Sequence, residues 1–281
     1  LVEPETRTPG ELPAPEQAPP VKLWLCPNDD LTPALRDLLA AHWLDEQERH
    51  TAGKFLFERD RRQYLVAHIL VRRALALEAG LAEAELVMWR SQRGRPFLRP
   101  VAGGLPRGGT HLDFNLSHAG GYNLLGIVRR HRIGVDVEGL DRDARGIDTI
   151  TGTFAPEEQE WIARVAPGHT RDRRVLRLWT LKEAYSKALG QGMRRGFGTV
   201  GFRWDGDGRA VLADDSSAAR AWSFTTCLVR DRYLVSEACR DTGRGRGHST
   251  GHVAGQVEDR LRDDPGPLAR TGLPPAQTVR S

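Results

Sequence analysis

Cysteine is scarce: three of 281 residues, Cys26, Cys227 and Cys239. They are odd in number and lack the close pairings from which disulfide frameworks and zinc sites are built. They read as reduced core thiols in a cytoplasmic protein. No apolar run approaches the roughly 20 residues needed to span a bilayer. The opening stretch LVEPETRTPGELPAPEQAPP is acidic and proline-rich, where an export signal is basic and then apolar. Charge of one sign is not in excess either, since 41 basic against 37 acidic residues leave a formal +4. That balance suits anionic small ligands without demanding nucleic acid. What the chain does have is 39% hydrophobic and 28% charged residues, enough apolar content to bury a substantial core.

Composition divides the chain. Residues 1–20, rich in Pro and Glu, and residues 241–281, rich in Gly, Arg, Asp and Pro, are expected to be a disordered leader and tail, since neither can bury enough apolar surface to offset its ordering entropy. Between them, VKLWLC (21–26) reads as a strand, and the apolar spacing of residues 55–79 predicts a helix that ends at Gly80. Residues 113–128 read as two strands joined through Ala119-Gly120-Gly121, and 133–138 as another. Helical spacing returns at 156–165 and 175–189, and GFRW, WSFTTCLV and YLVSEAC follow as strands. Strand, long helix, then strands occurs twice, which predicts an α+β architecture without a residue-level repeat.

Four segments carry chemistry. In IGVDVE, strand alternation puts Asp136 and Glu138 on one face and Ile133, Val135 and Val137 on the other. Two carboxylates on one face suit magnesium, a hard cation that takes oxygen ligands, or else pair with Arg129, Arg130 or Arg132. In LWTLKEAYSKALGQG, Leu178, Leu181, Tyr185 and Leu189 form an apolar stripe, while Glu183 and Lys187 sit one turn apart on the opposite face. This is either a surface ion pair or part of a site that includes Trp179, Lys182 and the Gly190-x-Gly192 exit. Asn115-Leu-Ser117-His118 lacks the G-x-S-x-G elbow of a hydrolase serine. These residues either satisfy local turn groups or donate to a phosphate, with His118 adding charge when protonated. Arg90, Arg93 and Arg95 bracket a turn and form either a phosphate clamp or a solvated basic loop.

In order, RGRPFL (93–98), FNLSHAG (114–120), IGVDVE (133–138), FAPEE (154–158) and LWTLKEAYSKALGQG (178–192) resemble the surfactin-type 4'-phosphopantetheinyl transferases. The resemblance covers most of residues 21–240. It implies a pseudo-dimer of two similar α+β halves, 21–130 and 131–240, with coenzyme A, magnesium and the active site at their interface. It also implies that Asp136, Glu138 and Glu183 are metal ligands, and that Lys187 contacts the coenzyme A phosphates. Arg90, Arg95, Asn115, Ser117 and His118 would line the phosphoadenosine and pyrophosphate, Arg95 standing where the family usually has Lys. The chain departs from the family at Thr51, where a basic residue is usual, so Arg49, Lys54 or Arg62 would supply the missing charge. The reaction implied is transfer of the phosphopantetheine arm to a serine of an apo acyl or peptidyl carrier protein by a monomer. Glu183 would be the base, with Lys187 and His118 stabilising charge. The rival readings are a non-catalytic module that binds coenzyme A or a carrier, a metal-dependent phosphohydrolase, and a nucleic-acid binder suggested by a pI near 9.2 and the GRGRG run at 243–247.

Overall fold

Two runs of elements in the same order, the second with one added short helix, account for the described residues. The first is β1 (Lys22–Pro27), α1 (Pro33–Trp43), α2 (Glu46–Ala52), α3 (Glu58–Ala79), a β2–β3 hairpin (Met88–Arg90, Pro96–Leu98), β4 (Leu112–Ala119) and β5 (Tyr122–Arg129). The second is β6 (His131–Gly139), α4 (Ala144–Thr151), α5 (Pro156–Ala163), α6 (His169–Leu189), a β7–β8 hairpin (Phe202–Trp204, Ala210–Leu212), α7 (Ser217–Arg220), β9 (Trp222–Val229) and β10 (Tyr233–Asp241). The computed structural model describes residues 21–82, 85–98, 112–190, 196–206 and 208–241. The expected leader, nearly all of the expected tail, and Gly192 lie outside these.

Each half forms an antiparallel three-stranded sheet, ordered β1-β5-β4 in the first and β6-β10-β9 in the second. The α+β pseudo-dimer expected from the sequence is thus the architecture. Each long helix stops at a glycine in the left-handed region, Gly80 (φ 65°) after α3 and Gly190 (φ 66°) after α6, a conformation only glycine adopts without strain. Eight residues before each of these glycines a buried cation reaches back to the capping-box glutamate of the preceding helix. Arg72 Nε donates to Glu48 Oε2 at 2.7 Å, and Lys182 Nζ pairs with Glu158 Oε2 at 2.7 Å.

Three alternate side chains of β4 join the halves. Asp113 Oδ2 accepts from the Ile133 amide (2.8 Å), Asn115 Oδ1 accepts from the Val135 amide (2.9 Å), and Ser117 Oγ donates to Asp136 Oδ1 (2.8 Å). β4 and β6 therefore run in the same direction, and side chains occupy the role of a backbone ladder. Behind this joint, Leu124, Ile133, Val135, Val137 and Val235 pack between the two sheets. Each such burial contributes about 1.5–3 kcal/mol relative to exposure.

Helix α6 lies against β6 at Gly134. A methyl group there would stand 1.9 Å from the Ala184 carbonyl oxygen and 2.5 Å from the Ala188 nitrogen. Gly134→Ala is therefore expected to lower stability by about 1–3 kcal/mol or more by forcing α6 off the sheet. Chemical denaturation checks this, and an unchanged midpoint would show that the close approach is dispensable.

Three helix boundaries differ from the periodicity reading, the smallest difference being at α5, which stops at Ala163 rather than 165. α3 starts at Glu58 rather than 55 because Phe57 is extended, and Leu56 stands 95% exposed. α6 starts at His169, six residues before 175, because its first turns (HTRDRR) are polar all round and show no apolar period. The short helices α1, α2, α4 and α7, the β2–β3 hairpin and β8 were not predicted, whereas the strand expected at GFRW is β7. Among the described residues no helix is long and apolar enough to cross a membrane.

Candidate active site

The alternation of β6 buries Ile133, Val135 and Val137 on one face, each no more than 1% exposed, and turns Asp136 and Glu138 to α6 on the other. Because Gly134 lets α6 approach, Lys187 Nζ reaches Asp136 Oδ1 at 2.6 Å and Ser117 Oγ at 2.7 Å. Glu138 Oε1 accepts from Trp179 Nε1 (2.9 Å) and from an Arg142 guanidinium nitrogen (3.2 Å). One strand of the first half and one strand and one helix of the second thus meet at a single group of side chains.

Electrostatics tie Glu183 to the same group. Burial, then repulsion from Asp136, pushes its carboxyl from an ordinary 4.5 to about 7; Lys187 opposes this and Glu138 adds to it. Burial and Asp136 also raise Glu138, against the pull of Arg142, Trp179 and Lys187. Asp136 Oδ2 is buried with no hydrogen-bond partner. Among the described residues no three His, Cys, Asp or Glu side chains are drawn together tightly enough to hold a metal ion. Lys187 occupies one oxygen of Asp136, and Trp179 and Arg142 hold Glu138. The donor chemistry nonetheless fits a hard divalent cation: three mutually repelling carboxylates, one with a buried unpartnered oxygen.

Comparison with known proteins agrees on the family. Residues 132–237 match the 4'-phosphopantetheinyl transferase superfamily, and residues 31–127 match a family described as 4'-phosphopantetheinyl transferase, N-terminal. A phosphopantetheinyl transferase from Thraustochytrium sp. is 31% identical over 69% of this chain and 69% of its own length. The chain belongs to the 4'-phosphopantetheinyl transferase superfamily. The transferase is also similar to 4'-phosphopantetheinyl transferase HetI from Nostoc sp. (31% identical; 62% of this chain, 70% of the relative). The human L-aminoadipate-semialdehyde dehydrogenase-phosphopantetheinyl transferase is 24% identical, covering 72% and 69%. A crystal structure of a holo-(acyl-carrier-protein) synthase from Bacillus anthracis in complex with CoA (3',5'-ADP) is 21% identical, covers 39% of this chain and 94% of its own, and has a TM-score of 0.34.

The structure brings Asp136, Glu138, Glu183, Lys187, Ser117 and His118 of the transferase together. It places other expected contacts elsewhere. Arg95 is 6% exposed, and its guanidinium donates to Asp113 Oδ2 (2.7 Å) and to the carbonyls of Ile133 (2.7 Å), Phe114 (3.2 Å) and Lys187. It faces protein acceptors rather than an open phosphate site, which corrects the clamp reading for this residue. Asn115 is likewise buried in the joint through Val135. Arg90 is exposed on β2, with Nη1 on the Gly94 carbonyl at 3.0 Å. Arg62 is half-buried on α3, with its Nε unpartnered among the described residues. At Thr51, Oγ1 bonds the Gln47 carbonyl at 2.8 Å. His118 was expected to bring positive charge. Although part of its ring reaches solvent, burial of the rest and then the nearby Lys187 ammonium hold its pKa below the usual value against the pull of Asp136, so it stands neutral at neutral pH.

Sequence reasoning missed the placing of Glu138 by Trp179 and Arg142. The signal was present: Trp179, Glu183 and Lys187 fall at i, i+4 and i+8, on one helix face. It also passed over Asp113, which shares a strand face with Asn115 and Ser117. Lys182, grouped with the site from sequence, points instead into the core, fully buried against Glu158.

Proposed function

We propose that this cytoplasmic transferase is of the surfactin type and works as a magnesium-dependent monomer that moves the 4'-phosphopantetheine of coenzyme A to a serine of an apo acyl or peptidyl carrier protein. The observation that carries the metal reading is the buried, unpartnered Asp136 oxygen beside two carboxylates, Glu138 and Glu183, whose pKa values are raised by burial and then by Asp136. Asp136, Glu138 and Glu183 would hold the ion. When bound, magnesium supplies neutralisation of the pyrophosphate charge and so favours departure of 3',5'-ADP.

The residues of the chain do the rest. Ionised Glu183 accepts the proton of the carrier serine hydroxyl. The serine Oγ–P bond forms on the phosphorus bearing pantetheine as the P–O bond to the ADP portion breaks. Lys187 swings its ammonium from Asp136 to the phosphate oxygens, and neutral His118 donates a hydrogen bond to them. Ser117, held between Asp136 and Lys187, stays unmodified. Arg62 and Arg90 supply positive charge toward the nucleotide end of coenzyme A.

Intact-mass measurement of an apo carrier incubated with the transferase, coenzyme A and magnesium tests the reading. A gain of one phosphopantetheinyl group that disappears with EDTA supports it; no gain on any acyl or peptidyl carrier overturns it. The raised Glu183 pKa adds a second expectation. Because the base works ionised, activity should climb with pH through an acid limb near 7, and raising magnesium from limiting to saturating should move that limb downward, since a cation favours the ionised carboxylate. A limb indifferent to magnesium would separate Glu183 from the metal.

A further inference from the structure

The C-terminal turn of α6 leaves carbonyls short of their usual i+4 partners, and that of Lys187 accepts both from the capping Gly190 amide (3.1 Å) and from a residue of the other half. Arg95 sits at the end of a turn fixed by Gly94 (φ 82°), by the Ser91 amide on the Arg95 carbonyl (2.9 Å) and by the Arg95 amide on Ser91 Oγ (3.2 Å). From there its side chain crosses the joint, with Nη1 on the Lys187 carbonyl and Nη2 on Asp113, Phe114 and Ile133. A methyl group on Gly190 would lie 3.5 Å from Arg95 Cδ, so the Arg95 stem fills the space beside the cap of α6.

We propose that Arg95 is a positioning residue: it anchors the last turn of α6 to β4 and β6, and so sets where the Lys187 ammonium meets Asp136, Ser117 and the phosphate. This rests on the role given above to Lys187 in transfer. A forked, planar guanidinium suits four fixed acceptors on three segments, whereas a point charge on a flexible stem does not. A cation at a helix C-terminus also complements the helix dipole. Arg95→Lys keeps the charge beside Asp113 and gives up the fork.

The test compares wild type, Arg95→Lys, Lys187→Met and the double variant by carrier modification and by binding of coenzyme A and dephospho-coenzyme A, each measured where thermal melts show the variant folded. The positioning role expects Arg95→Lys to lower kcat on the order of 100-fold, the scale of an ångström's misplacement. The preference for coenzyme A over its dephospho form should not change, and adding Arg95→Lys to Lys187→Met should cost little further kcat, because the guanidinium acts through the Lys187 ammonium. A kcat loss that adds in full to that of Lys187→Met would mark a general loosening of the fold and overturn the proposal. Wild-type kcat in Arg95→Lys would overturn it too, and so would a collapsed coenzyme A preference with kcat intact, which would make Arg95 a phosphate ligand. If wild type itself modifies no carrier, the transfer reading fails first; if wild type is active and Arg95→Lys matches it, only the positioning role fails.

Discussion

Glu183→Gln is expected to lower transfer by about 10²- to 10⁴-fold, the range associated with loss of a general base, and at the same time to stabilise the metal-free protein at pH 8. The two effects share a cause. In the native state the Glu183 pKa stands near 7 instead of 4.5, so folding favours its protonated form. A carboxyl raised in this way contributes its stability fully below the unfolded value of 4.5, and that stability is lost as pH rises through 7. The loss amounts to about 2 kcal/mol once the partial exposure of the group is allowed for. Glutamine keeps the shape and removes the charge, so at pH 8 in EDTA the variant should melt higher than wild type, and at pH 4.5 the two should converge. Glu237, also pushed to about 7 by burial on β10, loses stability over the same window in both proteins and cancels in the comparison. Magnesium should narrow the gap at pH 8, because it stabilises the ionised wild-type cluster. A variant that melts below wild type at pH 8 without metal would mean that Glu183 is not under electrostatic strain, and full turnover would remove it as the base.

The largest loss of stability is expected at Lys182. Its ammonium is enclosed with Glu158 (side chains 0% and 4% exposed) and donates to the carbonyls of Phe197 (2.8 Å) and Val200. Burial draws its pKa down while Glu158 opposes the shift. Lys182→Met leaves a buried carboxylate uncompensated, although Glu158 keeps the amides of Ala155 (3.0 Å) and Phe202 (2.9 Å). Breaking such a pair costs about 3–5 kcal/mol, which for a folded region of this size lowers the melting temperature by about 6–20 °C. The double change Lys182→Met with Glu158→Gln should recover much of the loss, since neither charge is then stranded. Calorimetry of the two variants decides the matter: equal melting of Lys182→Met and wild type would show that the pair contributes nothing.

Periodicity carried the reading of the site as far as single elements. Period two put Asp136 and Glu138 on one strand face, and a four-residue spacing put Glu183 and Lys187 on one helix face, because those relations are local. The contacts that assemble the site span sequence separations of 19, 51 and 70 residues, from Ser117 to Asp136, Asp136 to Lys187 and Ser117 to Lys187. No local pattern encodes them; they depend on two halves packing across β4 and β6 at a glycine. Charge without burial misled in two places. Arg95 and Lys182 look like ligands in the sequence and are buried members of the framework, a difference set by tertiary enclosure. The short helices α1, α2 and α4 offer too few turns for an apolar stripe to stand out.

The join of β4 to β6 places the last sheet strand of one half against the first of the other, a head-to-tail contact that cannot be repeated within one chain. The two halves therefore meet at one candidate site, and the first retains a set of equivalent positions outside it. By strand register and by distance from the capping glycines, Trp24, Cys26, Arg73 and Leu77 stand where Asp136, Glu138, Glu183 and Lys187 stand in the other half. Trp24 packs into the helix–sheet core instead of facing a ligand. The first half instead lends Ser117 and His118 of β4 to the site carried by β6 and α6, and substitutions at these four positions should be tolerated according to packing alone.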